Sequence, residues 1–191
     1  MDERQQPARV WAPVGALAER QGVPPSVRHA CIACADAVAA VGASLSLAYG
    51  DGPCEPVFAS DPGTSELQGL HFRLGEGPGV DALSSGRTVL AVDLSSACSP
   101  RRWPGFAPAA VQRGVRAVFA FPVRGGPIRS GVLEMYRLLT GPLSRRQLAD
   151  ALLCADVVLA LDDPGWVASG PLPRTAWETA GSGPGAGWRP G

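Results

Sequence analysis

The sequence predicts an α+β domain with a central antiparallel sheet, terminal helices on one face and short helices and loops on the other. Three observations predict it. Helical periodicity brackets the chain, in residues 8–21 and 26–41 at the start and in "LSRRQLADALLCADVVLALDD" near the end. Between these brackets the apolar residues switch to two-residue alternation, most clearly in "RAVFAFPVR" and "IRSGVLEMYRL" about "GGP". The resulting order is helices, two strands, a helical excursion, one strand, a second excursion, two long strands and a closing helix, which suits a sheet built from hairpins rather than parallel crossovers.

Each element has its own local reason. Trp11, Val14, Leu17 and Ala18 fall at helical spacing, and "GVPPS" ends that first helix. Ser26 after two prolines is a plausible N-cap, and Val27, Ala30, Cys31, Cys34, Val38 and Val41 form one stripe until Gly42. Leu45, Leu47 and Tyr49 alternate with Ser44, Ser46 and Ala48, and a turn at "GDGP" leads into a second extended run closing near Ser60. Residues 61–87 hold a short helix, the glycine run "LGEGPGVDAL" and a second short helix. "RTVLAVDL" reads as a strand, "CSPRRWPGF" as a loop and "APAAVQRGV" as a short helix. Ser144 caps the closing helix, whose stripe is Leu148, Leu152, Ala155 and Leu159.

Composition bounds the function. With 46% hydrophobic and 18% charged residues in 191, the chain can build one domain with a core and some excess length. Seventeen basic and seventeen acidic side chains cancel, so the long-range field that draws proteins onto nucleic acid is missing and no direct nucleic-acid partner is expected. Every basic residue is arginine, and a chain without lysine has no P-loop and no Schiff-base chemistry. No signal peptide or membrane span is legible, so a cytoplasmic protein is expected. Five cysteines, Cys31, Cys34, Cys54, Cys98 and Cys154, are an odd set, and reduced thiols are the expectation. Residues 1–25 read as an N-terminal helix and linker, 26–163 as the domain, and 164–191 as a Pro/Gly-rich tail whose Trp166, Trp177 and Trp188 recur at equal spacing.

The motifs divide between chemistry and architecture. "LGEGPGVDAL" fails the dinucleotide fingerprint, because a count from Gly75 puts Val80 where the third glycine belongs. Gly75, Gly77 and Gly79 then serve an irregular turn, with Pro78 and Asp81 suited to a helix start. Cys31 and Cys34 share a helix face 60° apart, on the apolar stripe, and read as core, with redox sensing as the alternative. Two thiols close no zinc site, so no metal is expected. His29 lies on a helix and His71 in a loop, neither near a nucleophile motif, and no catalytic set is expected. Trp103 and Phe106, with Arg101 and Arg102 in a proline-braced loop, either close over a cavity or pin the loop to the sheet. Alternation sets Phe119 and Phe121 on one face of their strand, and Glu134 and Tyr136 on one face of theirs; which face is buried by which helices stays open.

"GASLSLAYG", "LGEGPGVDAL", "GRTVLAVDL", "RWPGFAPAAVQRGVRAVFAFPV", "SGVLEMYR" and "LADALLCADVVLAL", in this order from about Ser26 to Asp162, resemble the GAF domain, in the variant found in actinobacterial GAF-ANTAR regulators. The ANTAR part is absent from this sequence. The resemblance implies a non-enzymatic sensory domain acting in signal transduction or transcription regulation, with an unidentified small-molecule ligand, a homodimeric state and a regulatory protein partner. It names no cofactor. The ligand-binding set it implies is Ser46, Asp81, Trp103, Phe106, Phe119, Phe121, Glu134 and Tyr136, with Trp103 and Phe106 as a gate. The homodimer is expected through apolar surface left over on the first helix around Trp11, Val14 and Leu17. Two alternatives accompany this reading: a thiol-based redox module, for which Cys54 and Cys98 are best placed, and a ligand-free structural dimerisation module.

Overall fold

The structure, a computed structural model, describes residues 6–50, 52–125 and 128–162. Its elements are α1 (Gln6–Gln21), α2 (Val27–Ala37), β1 (Gly42–Tyr49), β2 (Glu55–Ala59), α3 (Pro62–Leu74), α4 (Pro78–Ser85), β3 (Val89–Ala91), α5 (Ser99–Arg102), α6 (Phe106–Gln112), β4 (Ala117–Gly125), β5 (Ile128–Arg137) and α7 (Arg145–Asp162). The five strands form one sheet in the order β2-β1-β5-β4-β3, and every neighbouring pair is antiparallel. The expected α+β class is the observed one.

Strand alternation sorts the core into two layers. Leu45, Leu47, Phe119, Phe121, Leu133 and Met135 point to the face covered by α1, α2 and α7, where they meet Val14, Cys31, Cys34, Val38 and Val158. Val118, Ala120, Val132 and Tyr136 point to the other face and pack against Leu67 of α3, Ala82 of α4, and Trp103 and Phe106 near α5 and α6. Phe119 and Phe121 therefore lie across the sheet from Glu134 and Tyr136. Their expected place in the ligand set is corrected: both have zero exposure within the terminal-helix core.

Four further expectations change. His71 is not in a loop but in the last turn of α3. The strand expected over "RTVLAVDL" shrinks to Val89–Ala91, because Asp93 turns the chain by accepting from the Ser95 N–H at 2.8 Å while its carbonyl accepts from Ser99 Oγ at 2.7 Å. The apolar stripe of α1 is spent inside the molecule, with Val10, Trp11 and Val14 all in the core beside α2 and α7, so the surplus surface expected to drive a dimer is not there. Arg9 of α1 also grips Asp150 of α7 with two bonds of 2.8 and 2.7 Å.

The fourth concerns the thiols. Cys34 and Cys154 form a disulfide between α2 and α7, with their Cα atoms 6.0 Å apart. An odd cysteine count argues against a full framework but is silent about one pair, and α7 buries the face of Ala151, Cys154 and Val158 rather than the expected stripe, whose Leu152 is exposed, which brings Cys154 to bridging distance of Cys34. Cys31 is buried, Cys54 half-buried and Cys98 exposed, and these three are free. The expected tail, with Trp166, Trp177 and Trp188, lies outside the described residues.

Candidate functional site

The glycine run is the place to start, because its purpose is spatial. α3 ends at Gly75, whose φ of +63° suits a left-handed C-cap, and Gly77 at φ +122° starts α4. A Cβ on Gly77 would collide with the His71 ring, and one on Gly79 with the Glu134 carboxylate. The run turns a corner, and it also leaves room for two polar side chains to reach the backbone at the head of α4.

Those two side chains meet. His71 Nδ1 lies 2.9 Å from Glu134 Oε1 and 3.2 Å from Oε2, with both side chains at most 2% exposed. Phe106 stacks on the imidazole with ring centroids 3.9 Å apart. Glu134 fits in the middle of the sheet because its cross-strand neighbours are small, Ser44 on β1 and Ala120 on β4. A glutamate there needs a partner, since an unpaired buried charge is costly. His71 supplies it, donating from Nδ1, which leaves Nε2 facing away from the carboxylate.

A wider polar set surrounds the pair. Tyr136 Oη and Ser44 Oγ are 3.1 Å apart, and burial, followed by the charge of Glu134, holds the Tyr136 phenol well above its ordinary value, so it remains a neutral hydroxyl. Gln68 of α3 donates from Nε2 to Ser46 Oγ at 2.9 Å and to the Leu45 carbonyl at 2.8 Å. Two atoms in this region are buried without a hydrogen-bond partner: His71 Nε2 and Glu134 Oε1, the latter within ion-pairing distance of Nδ1 but poorly aligned for a bond. A third such atom, Arg137 Nη1, belongs to the opposite face, where the guanidinium sits 5.8 Å from the Phe119 ring centroid.

The aromatic pair forms a roof over the His71–Glu134 pair. Trp103 is 3% exposed, and its indole N–H donates to Asp81 Oδ2 at 3.1 Å, the same oxygen that accepts from Arg102 Nε at 2.8 Å. Glu76 accepts from the Gly105 and Phe106 N–H groups at 2.6 and 2.7 Å, which pins the start of α6 above His71. Of the expected set, Ser46, Asp81, Trp103, Phe106, Glu134 and Tyr136 thus share one layer. Asp81 serves there as the acceptor that holds the roof.

Gln68 and His71 were not among the expected residues, although the sequence carries a signal for them. Thr64, Leu67, Gln68 and His71 occupy positions i, i+3, i+4 and i+7, the spacing of a buried helical stripe, and all four are buried. Polar residues on such a stripe announce a polar interior.

A half-open cleft of about 500 Å³ lies in the other layer, between α1, α2 and α7, lined by Val10, Pro13, Ala33, Ala37 and Asp150 among others. Its arginines, Arg9 and Arg146, are both directed at Asp150. The cluster under α4 is the better candidate site because there the buried polar atoms lack partners. Among the described residues, no three His, Cys, Asp or Glu side chains converge to hold a metal, and no helix is long and apolar enough to cross a membrane.

No family model matches the sequence, and no curated protein matches it. Solved structures do. A domain of a two-component sensor histidine kinase protein from Sinorhizobium meliloti is similar at 16% identity and TM-score 0.52, over 73% of this chain and 91% of that one. The GAF3 domain of a Synechocystis protein, in its photoproduct state, is similar at 17% identity and TM-score 0.52, over 75% and 96%. The GAF domain of a phosphoenolpyruvate-protein phosphotransferase from Coxiella burnetii is similar at 14% identity and TM-score 0.51, over 91% and 98%. The chain has the GAF fold.

Proposed function

We propose that the protein is a non-enzymatic sensory module of signal transduction, in which a small polar ligand engages the His71–Glu134 cluster and changes how the terminal helices pack. The observation that carries this reading is the pair of buried, unpartnered atoms, His71 Nε2 and Glu134 Oε1, on the sheet face away from α1, α2 and α7. Two buried polar atoms left open cost free energy that a ligand supplying the complementary groups would recover. The similar structures support the sensory reading through the proteins that carry them, a sensor kinase among them.

The route outward is short. Leu133 and Met135 flank Glu134 on β5 and point to the opposite face, into the core shared with α2 and α7. A shift of Glu134 towards a ligand moves these side chains, and the ligand biases the helix packing by its differential affinity for the two arrangements. Within this proposal the protein is cytoplasmic, acts through a regulatory protein partner in transcription control, and pairs as a homodimer by a surface other than the buried stripe of α1.

One observation favours the ligand-free structural alternative: Gly77 and Gly79 are packed so closely by His71 and Glu134 that the interior is largely filled. A thermal-shift screen of small carboxylates, amides and nucleotides decides between them. The ligand reading expects a compound that raises Tm by several degrees at about 100 times its Kd and loses that effect in Glu134→Gln. No stabilising compound, together with no small molecule retained in native mass spectrometry, favours the structural module.

A further inference from the structure

The helix α7 is fastened to the rest of the domain at three points along its length. Asp150 is gripped by Arg9 of α1, Cys154 is bonded to Cys34 of α2, and Asp162 accepts from the Tyr49 hydroxyl at 2.8 Å. Only the middle fastening is a bond that electron transfer can open and close. It joins residues 120 positions apart, so it is a covalent link that keeps α2 and α7 adjacent even when packing loosens. The half-open cleft of about 500 Å³ includes Ala33, the neighbour of Cys34, and Asp150, one helical turn before Cys154. It brings solvent close to a bridge whose two cysteines have zero exposure.

We propose that Cys34–Cys154 is a reversible oxidation site, with dithiols and disulfides as its substrate class, and that its state sets how firmly α7 is held against α2. In the reducing direction one thiolate of a dithiol attacks a sulfur of the bridge, forming a mixed disulfide and releasing the other cysteine. The second thiolate of the dithiol then closes on the first and releases the remaining cysteine. Two electrons and two protons pass to the protein, and the dithiol leaves as a cyclic disulfide. The reverse reaction needs a disulfide oxidant.

Cys31 lies one turn before Cys34 and has zero exposure. Burial pushes its thiol up to about 12, so it stays protonated and does not compete for Cys34 while the helical layer is closed. The proposal concerns the terminal-helix face and stands apart from any ligand at His71 and Glu134.

The test uses the full chain, prepared without reductant and then treated with dithiothreitol. Alkylation and peptide mapping should find Cys34 linked to Cys154 before treatment and both free after it. Hydrogen exchange of residues 145–162 should then rise about tenfold while residues 117–137 keep their protection. Cys34→Ser with Cys154→Ser should show the faster exchange at the outset and ignore dithiothreitol, whereas Cys31→Ala should respond like the unaltered chain. Absence of the link before treatment, or unchanged exchange in 145–162 after reduction, overturns the proposal. A loss of protection that includes the sheet also overturns it, since the bridge would then be a general stability crosslink.

Discussion

His71 Nδ1 and Glu134 Oε1 approach to 2.9 Å in an interior where neither side chain is more than 2% exposed. The pair links the end of α3 to the central strand β5 across 63 residues of sequence. It is the only place among the described residues where a histidine and a carboxylate form such a contact.

Breaking that pair from one side should cost more than removing it whole. Glu134→Ala leaves His71 buried against nothing that accepts its proton, and His71→Ala leaves a carboxylate unpaired, each costing about 3 to 5 kcal/mol. Replacing both with apolar residues of similar volume should cost less than the sum of the two. A double-mutant cycle from urea denaturation measures the difference, and additive losses would mean that the two groups are not coupled.

The glycines separate two effects that sequence alone runs together. Gly75 has φ +63° and nothing within 4 Å of an added Cβ, so Gly75→Ala should cost only the left-handed strain of about 1 to 2 kcal/mol. Gly79 carries no positive φ, yet its Cβ would meet the Glu134 carboxylate, so Gly79→Ala should cost at least as much through crowding, about 1 to 3 kcal/mol. If so, the Gly79→Ala penalty should persist beside Glu134→Gln and be relieved beside Glu134→Ala, and melting curves of the three single variants and the two doubles show which holds.

The sheet's layering was legible because strand alternation reports burial. Leu45 and Leu47 against Ser44 and Ser46, and Leu133 and Met135 against Glu134 and Tyr136, are sorted to opposite faces as their spacing demands. Which face belonged to the terminal helices was not legible, since period two defines two sides without naming either. That ambiguity put Phe119 and Phe121 in the wrong layer. The partner of Glu134 was hidden for another reason: His71 is 63 residues away, and only the fold brings α3 over β5. The disulfide was missed because the stripe read for the closing helix, through Leu148 and Leu152, left Cys154 off the buried face that α7 turns to α2.

Asp61 supplies a pH-dependent contribution. At the N-cap of α3 it accepts from the Thr64 hydroxyl at 2.6 Å, the Ser60 hydroxyl at 2.7 Å and the Thr64 N–H at 2.9 Å. Partial burial acts upward on its carboxyl, but these hydrogen bonds outweigh it and hold the group below its ordinary value. A depressed carboxylate stabilises the fold above the unfolded value of about 3.9 and loses that contribution as pH falls through the lower folded value. Asp61→Ala should lower stability by about 1 kcal/mol at pH 7 and by less at pH 3. An equal loss at both would remove the charge from the explanation.

The free thiols should react in the order of their exposure. Cys98 is exposed and should take iodoacetamide first. Cys54 is half-buried, and burial with the nearby Glu134 charge pushes its thiol up to about 11, so it stays protonated at pH 8. It therefore lacks the low pKa that a redox-sensing thiol at this position would need. Cys31 should remain unlabelled until the protein unfolds. Labelling of Cys54 ahead of Cys98 would contradict this order.

The most direct test of the sensory reading looks at His71 itself. The chain has two histidines, and His29 belongs to the other layer, bonded to Ser26 and Gln21 at the start of α2. Long-range proton–nitrogen NMR of the imidazoles, recorded while a compound from the thermal-shift screen is titrated in, resolves the two rings separately. The account predicts that the His71 Nε2 resonance moves with saturation of that compound while His29 stays in place. Saturable binding that leaves the His71 ring unmoved would contradict it.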